Sequence, residues 1–599
     1  MSQPQRTPLA RFEDIPGKLP ESSVPGSVDF QTLADQAVEK LNNLTPDNVT
    51  ESVVWRDLLS FTGTYRTFNS RANVVNTLRD LRQSRRCSAF YALGSGVRTE
   101  RSLSDISWCD VDVLFDVQID GLAGKGRGIV SLACCADGQW RIWMLRTWLE
   151  CFEGHGHPDV PVSDGIIRVD SGNSASRSPN TDYDVVIVGS GQSGLSTAGR
   201  LKALGIRYVV LEKRPEVGHV WASRYESLRW HTSKHYGSLP FGHSYPDEDD
   251  YMLPAKRIGA GHKAWSEKYD INVRTSTAVD AASYDAESQT WTVRASTPEA
   301  QQTFTTRNLV LAIGTGHLTP VVPEWASPEK IASSGFKGTI LHGSNYKNCT
   351  LFAGKRGVVV GTANTAHDVA EDMANVGMST TLVQRGATFI FPAEWLHHAE
   401  DVHYNPNVDP AEADRISFTH PNKIMRELVN RAVFAGIKAN PDRFDALEKA
   451  GFKLDRYGDI YNNLYVRFGG HYVDIGASER IAKGEIKVTS RPVKKMYKDG
   501  LVFEDGGELP ADLIVLCTGF DHDFRKDAAR IVGADVADQM DDFWGVDAEG
   551  EVRGHAKIAG HPHLYYHGGD IRMARFYSRF LALQLQADAL GRPLQPYVG

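Results

Sequence analysis

The sequence predicts an α/β protein with two Rossmann-like nucleotide-binding domains, the second inserted in the first, behind a smaller α+β domain. Three observations carry that expectation. A β-branched run from Tyr183 to Val188 meets a GxGxxG turn and then a helix-forming stretch. A second strand, turn and helix follow between Gly357 and Ala370. From Tyr183 onward strands alternate with helices, the pattern of parallel sheets, whereas the chain before Pro158 reads as helices followed by long alternating strands.

In the first unit Gly189 allows the tight turn, Gly191 lets the backbone approach a pyrophosphate, and Gly194 permits close packing of helix on strand. The helix N-terminus around Ser190, Gln192 and Ser193 supplies free N–H groups and partial positive charge. The next strand, Ile206 to Leu211, ends at Glu212, eighteen residues past Gly194, with Lys213 behind it. A carboxylate there suits the two hydroxyls of an unphosphorylated ribose, as in FAD or NAD.

The second unit turns at Gly361, Thr362, Ala363 and Asn364, and its helix continues through Thr365 and Ala366. Ala363 replaces the middle glycine, which narrows the room for a pyrophosphate. The paired strand, Thr380 to Val383, ends in Gln384 and Arg385 and carries no acid. An arginine at that place favours a 2′-phosphate and so NADPH over NADH; the bland alternative is a solvated surface arginine.

Composition fits a large enzyme. The 599 residues are 41% hydrophobic and 23% charged, enough for two to four domains each with a core, and the net charge of -8 gives no basic footprint for nucleic acid. No apolar run approaches the ~20 residues that span a bilayer. With no apolar leader and no address or lipidation signal, a cytoplasmic protein without membrane partner is expected. The seven cysteines include no CxxC pair, which argues against a flavin disulfide reductase. Free, buried thiols are expected, and no metal site.

Five blocks are expected. Residues 1–157 hold a helix from Gln31 to Leu44, a helical stretch from Arg71 to Leu81, strands at Asp110 to Gln118 and Gly128 to Cys135, and a Trp-rich strand from Gln139 to Trp148. That order resembles the SnoaL-like, nuclear-transport-factor-like α+β cone, and it implies a packing or dimerisation role, with His155 and His157 solvated in a loop. Residues 158–181 turn to Pro, Ser, Gly, Asn and Asp and read as a linker. Residues 182–345 form the first part of the FAD domain and 346–495 the NADPH domain, in which Phe389 to Asn463 reads as a lid or substrate insertion. Residues 496–599 complete the FAD domain, with Ala511 to Phe520 returning the chain to it.

From Tyr183 to the end the chain resembles the class B flavin-containing monooxygenases, in the branch of the plant YUCCA-type enzymes and fungal relatives with an added N-terminal domain. The residues that carry the resemblance are the GSGQSG turn at Gly189 and the FxGxxxHxxxY fingerprint at Phe336, Gly338, His342 and Tyr346. The NADPH turn at Gly361, Gly218 to Trp221 with Arg224 and Tyr225, Cys517 to Phe520, and Tyr472 to Gly476 also match. Baeyer-Villiger relatives usually end the fingerprint in Trp, where Tyr346 stands. His231, in Trp230-His231-Thr232-Ser233-Lys234, takes the place of the active-site Asn of animal members and agrees with the YUCCA pattern. Ile313 replaces a usual Thr in a segment where a backbone role is expected.

The resemblance implies FAD and NADPH as cofactors and O2 as co-substrate. NADPH reduces the flavin, and the reduced flavin takes up oxygen as a C4a-hydroperoxide that oxygenates a small molecule. It implies catalytic or coupling roles for His231, His342, Asn364 and Asp474, each of which has a plain structural alternative. It implies cofactor contacts by Val220, Trp221, Arg224, Thr232, Thr518, Gly519 and Gly569 besides the two turns, while Arg572 and Arg575 touch phosphate or pair with a carboxylate. Three functions stay open: N or S oxygenation or YUCCA-like oxidative decarboxylation of an α-keto acid; Baeyer-Villiger insertion; and a non-oxygenating reductase or assembly component. A homodimer through the N-terminal domain is expected.

Overall fold

The computed structural model describes residues 6–102, 106–161, 181–314 and 319–599. Three sheets organise them. The N-terminal sheet has six strands in the order Tyr65–Asn69, Val49–Leu58, Trp140–Phe152, Leu122–Cys134, Ile106–Ile119 and Tyr91–Ser102. All its pairings are antiparallel except that of Val49–Leu58 with Trp140–Phe152. The helices Phe30–Asn42 and Arg71–Ser84 lay their apolar stripes, Leu33, Ala37 and Leu41 and Val74, Leu78 and Leu81, into the common core.

The first nucleotide sheet runs Ala278–Asp285, Thr290–Ser296, Gln301–Leu311, Tyr183–Val188, Tyr208–Leu211 and Val273–Arg274, with Leu564–Tyr566 added beside Gln301–Leu311. Val185 to Ile187 and Val209 to Leu211 are buried, as parallel strands covered on both faces must be. Two helices cover one region: Gln192–Ala203 packs on Ile571–Ala589, which is buried over nearly its whole length.

The second sheet is all parallel, in the order Thr339–His342, Leu513–Leu516, Arg356–Val360, Ser379–Val383 and Ile486–Thr489. This corrects the expected return of Ala511 to Phe520 to the first domain: Leu513–Leu516 lies inside the second sheet, and the return comes with Leu564–Tyr566. The second sheet also begins earlier than Gly357, at Thr339. A four-residue apolar strand looks the same in either sheet; only its long-range partner decides, and local sequence does not carry that.

The insertion after Ser379–Val383 is a two-stranded parallel ribbon, Phe389–Pro392 with His471–Asp474, enclosing four helices between Ala393 and Lys449. The N-terminal domain grips this insertion and the C-terminal segment. Arg56 is buried and forks onto Glu551 at 2.7 Å, Arg146 holds the Ile416 carbonyl oxygen at 2.8 Å, and Arg127 holds Glu412. The dimerisation expected of this domain has no support here, since these groups of the domain are turned onto their own chain.

Of the linker, 162–180 lies outside the described residues, but its start is docked and not loose. The Asp159 carboxylate takes Arg200, Arg415 and Arg579, and Arg415 and Arg579 also hold Glu150. His157, expected in solvent, sits 3.3 Å from the same Glu150. All seven cysteines are free, Cys109 and Cys349 fully buried and the others partly.

Candidate active site

The first Gly-rich turn is shaped by steric demand at two of its glycines and by none at the third. Gly189 sits at φ +102°, where its carbon faces the Ala312 carbonyl, and a Cβ on Gly194 would fall 1.9 Å from the Gly189 carbonyl oxygen. Both are needed for the fold itself. Gly191, the N-cap residue of Gln192–Ala203, has ordinary extended backbone, and a Cβ there would meet no atom within 4 Å. The open space above it faces a helix N-terminus, whose free N–H groups can receive an anion. Glu212 stands beside it: the N–H and hydroxyl of Ser190 both donate to Oε2 at 2.8 Å, and Arg214 N–H donates to Oε1 at 2.8 Å. Its carboxylate is thereby fixed at the rim, next to the exposed Lys213.

Gln192 ties distant segments to this turn. Its amide N–H donates to the Gly569 carbonyl at 2.9 Å, and its oxygen accepts from Trp221 Nε1 at 3.3 Å. Trp221, Gly569 and the turn are thus brought together. Val220 is 52% exposed beside them, Arg224 lies over the Tyr225 ring, and Thr232 is partly exposed next to His231.

The second turn repeats the geometry. Gly361 has φ +126° and would drive a Cβ to 2.3 Å from the Cys517 carbonyl oxygen. Ala363 caps the helix Asn364–Asn375 at φ -88°, ψ -174°, close to the -69° and -176° of Gly191, so its methyl brings no backbone strain. Thr362 bonds Thr388 at 2.6 Å, Thr365 is partly exposed, and Ala366 is buried. Gln384 turns inward onto Lys453, while Arg385 is exposed and has no hydrogen-bond or ion-pair partner among the described residues. Thr518 Oγ1 donates to the Val321 carbonyl and so orders the strand end by Gly519. Of the Ile313 segment, residues 315–318 lie outside the described residues; the Gly314 carbonyl accepts from Tyr566 OH at 2.7 Å.

Between the turns lies a polar cluster that reasoning from sequence only half found. Asp368, four residues after Asn364 on the same helix face, accepts from Tyr225 OH at 2.6 Å and lies 3.3 Å from His231 Nε2. The i, i+4 spacing from Asn364 was the available signal for it. These contacts join the two nucleotide domains, as does Glu226 N–H to the Lys347 carbonyl at 2.9 Å. Burial, and then the charge of Asp368, pushes the Tyr225 hydroxyl far up, so it stays a donor. His231 Nδ1 is buried with no partner, an atom that a bound group would satisfy.

The other candidates are anchored. Ser344 N–H donates to His342 Nδ1 at 3.2 Å, which leaves Nε2–H to donate to the Gly519 carbonyl at 3.2 Å. Both ring nitrogens are thereby committed to tying the fingerprint to the strand end at Gly519, and burial lowers the pKa of the ring. Asn364 Oδ1 accepts from Val473 N–H at 2.9 Å, and His367 stacks on Tyr472 with centroids 3.9 Å apart. Asp474 accepts from Arg443 at 2.6 Å and from Gly476 N–H at 3.0 Å. Its burial would raise the carboxyl pKa, but Arg443 outweighs this and holds it low, so it is an anchored anion. Tyr346 donates its hydroxyl to Asp372. Arg575 reaches no open space: it forks onto Asp414 at 2.7 and 2.8 Å.

Two Gly-rich turns, each at a helix N-terminus and joined by such a cluster, define a two-nucleotide oxidoreductase. Residues 183–469 match the family model described as pyridine nucleotide-disulphide oxidoreductase. The chain is 29% identical over 340 residues to indole-3-pyruvate monooxygenase YUCCA1 of Oryza sativa subsp. japonica, covering 56% of this chain and 76% of that one. To indole-3-pyruvate monooxygenase YUCCA6 of Arabidopsis thaliana it is 28% identical, covering 56% and 75%. A solved flavin-containing monooxygenase from Stenotrophomonas maltophilia aligns at 19% identity and TM-score 0.45, over 68% of this chain and 98% of that one. The chain is thus similar to flavin-dependent monooxygenases, and these likenesses support an FAD- and NADPH-dependent oxidoreductase. No helix among the described residues is long and apolar enough to cross a membrane.

Proposed function

We propose that the enzyme converts an α-keto acid to the carboxylic acid one carbon shorter. One atom of O2 enters the product, the other leaves as water, the keto acid's carboxyl departs as CO2, and NADPH supplies the two electrons. The observation that carries this reading is His231, held 3.3 Å from Asp368 where other branches place an amide, in a chain whose matched relatives include indole-3-pyruvate monooxygenases. In this reading the 189–194 turn, Glu212, Trp221 and Gly569 hold FAD, with Lys213, Val220, Arg224 and Thr232 around it. The 361–366 turn, Arg385, Thr518 and Gly519 hold NADPH.

Bound there, FAD accepts hydride from NADPH and activates oxygen. The chain's part is to bind, orient and shield. His231 offers its unpartnered Nδ1 to the reacting edge, and Asp368 orients the ring and links it through Tyr225 to the nicotinamide side. Asn364, His342 and Asp474 keep that cleft in register through the bonds described above.

The test is to reduce the purified holoenzyme with NADPH and add oxygenated buffer with an arylpyruvate, an aryl sulfide or a cyclic ketone. Stoichiometric CO2 release with the arylpyruvate is expected. Sulfoxide or lactone as the main product, without CO2, overturns the reading in favour of heteroatom or Baeyer-Villiger oxygenation; NADPH-driven reduction of an acceptor without oxygen transfer overturns it in favour of a reductase.

A further inference from the structure

Arg572, the second residue of the helix Ile571–Ala589, forms no ion pair with any carboxylate among the described residues, although Asp570 lies close enough to favour its charge. It is mostly buried, its Nε is fully buried without a partner, and its guanidinium makes no hydrogen bond or ion pair among the described residues. Both nearby acids are otherwise engaged or too far. Asp570 caps its own helix through Met573 N–H at 2.7 Å and accepts from Tyr236 OH at 3.2 Å. Glu400 feels the charge of Arg572 but forms no ion pair, and burial pushes its carboxyl up to about 8, which keeps it neutral at neutral pH. The neighbouring Arg575, by contrast, has a full bidentate partner in Asp414.

The guanidinium is also oriented. The Tyr236 ring centroid lies 5.0 Å from its carbon and the Phe418 centroid 4.3 Å, so aromatic rings pack against it from the flavin domain and from the insertion. Such packing offsets part of the cost of burying the charge and does not use the in-plane N–H donors. A planar N–H edge without acceptors matches a carboxylate in geometry and charge. Around it, Tyr236, Phe418, Tyr404 and Tyr461 supply buried aromatic surface, and the hydroxyls of Tyr236 and Tyr404 already donate to Asp570 and Asp414.

We propose that Arg572 is the anchor for the substrate's carboxylate, and that the aromatic wall beside it takes an aryl or comparably apolar side chain. The proposal rests on the oxygenase reading above and names the group that would select acids over ketones and sulfides.

The test is titration calorimetry of the oxidised holoenzyme with phenylpyruvate and with its methyl ester, on wild type, Arg572→Met and Arg572→Lys. Expected is tighter binding of the acid than of the ester by wild type, an acid Kd about 30- to 1,000-fold weaker in Arg572→Met, and an unchanged ester Kd. Arg572→Lys, which keeps charge but not the fork, should fall between and guards against a misfolded Met variant. A wild type without preference for the acid, or equal losses for acid and ester, overturns the proposal. So does an unchanged acid Kd with a shifted flavin reduction potential, which would turn the guanidinium toward the flavin. If acid affinity depends on Arg572 but no CO2 appears in turnover, the carboxylate site stands and the decarboxylation reading falls. If CO2 is released and Arg572→Met leaves acid affinity intact, the site falls and the reaction stands.

Discussion

Replacing Gly191 with valine separates cofactor binding from folding in a way the other turn glycines do not permit. A Cβ there meets no protein atom within 4 Å, and the extended backbone accepts any L-residue, so the cost to the chain itself is a poorer N-cap, about 1 kcal/mol. The space the side chain fills is the one above the helix N-terminus where a pyrophosphate would rest. FAD present at about 1,000 times its Kd stabilises the fold by roughly 4 kcal/mol, so that amount is what Gly191→Val should lose. Gly194→Ala is the control, because its methyl would lie 1.9 Å from a backbone oxygen and must push helix and turn apart whether or not flavin is present. The assay is flavin absorbance per protein after gel filtration, followed by thermal melts with and without added FAD. Gly191→Val should be folded, colourless and indifferent to FAD, melting with flavin-stripped wild type. Stoichiometric flavin in that variant would refute the placement of the pyrophosphate.

Arg385→Ala removes an exposed, unpartnered guanidinium and should raise the NADPH KM about 10- to 100-fold while leaving the NADH KM alone; equal effects on both would take Arg385 out of 2′-phosphate recognition. Tyr225→Phe deletes the 2.6 Å bond to Asp368, worth about 1.5–3 kcal/mol, and should slow flavin reduction by NADPH in stopped flow with FAD content unchanged. An unaltered reduction rate would mean that this bond does not set the two domains. For Glu400, the folded chain keeps a proton up to about pH 8 that the unfolded chain releases near its ordinary carboxyl pKa, so the native state binds more protons across that window and stability falls as pH rises through it. Glu400→Gln cannot ionise, and its melting temperature should gain on wild type steadily from about pH 4.5 to 8; a constant difference would refute the buried, protonated acid.

The two nucleotide units were legible because their chemistry is local: strand, Gly-rich turn, helix and the residue closing the next strand all fall within a short window around Gly189 and Gly361. The sheet that Leu513–Leu516 joins was not, because its partners lie far away in sequence and nothing in four apolar residues names them. His231 was singled out by its neighbours in the sequence, whereas Asp368, 3.3 Å from it, could be reached only by following the helix face that begins at Asn364. Arg572 and Arg575 are three residues apart and look alike in sequence. Only the fold separates the one paired with Asp414 from the one without an ion pair among the described residues, because the pairing comes from the insertion, whose docking no local pattern announces.

That docking also explains what the N-terminal domain contributes. Arg56 is almost wholly buried, yet it serves three segments at once: it forks onto Glu551, donates to the carbonyls of Phe418 and His420 at 3.1 and 2.9 Å, and donates to Tyr577 OH at 2.9 Å. Arg146 holds Ile416 and Asp110 in the same neighbourhood. Buried ion pairs of this kind add little net stability over apolar packing, because desolvation offsets most of the attraction, but they tolerate only one register. The register they fix is that of the insertion against the helix Ile571–Ala589. Phe418 is the point of transfer: its carbonyl is gripped by Arg56 while its ring lies 4.3 Å from the Arg572 guanidinium. A domain without a nucleotide turn of its own thereby sets one wall of the cleft in which the substrate's acid group would be received.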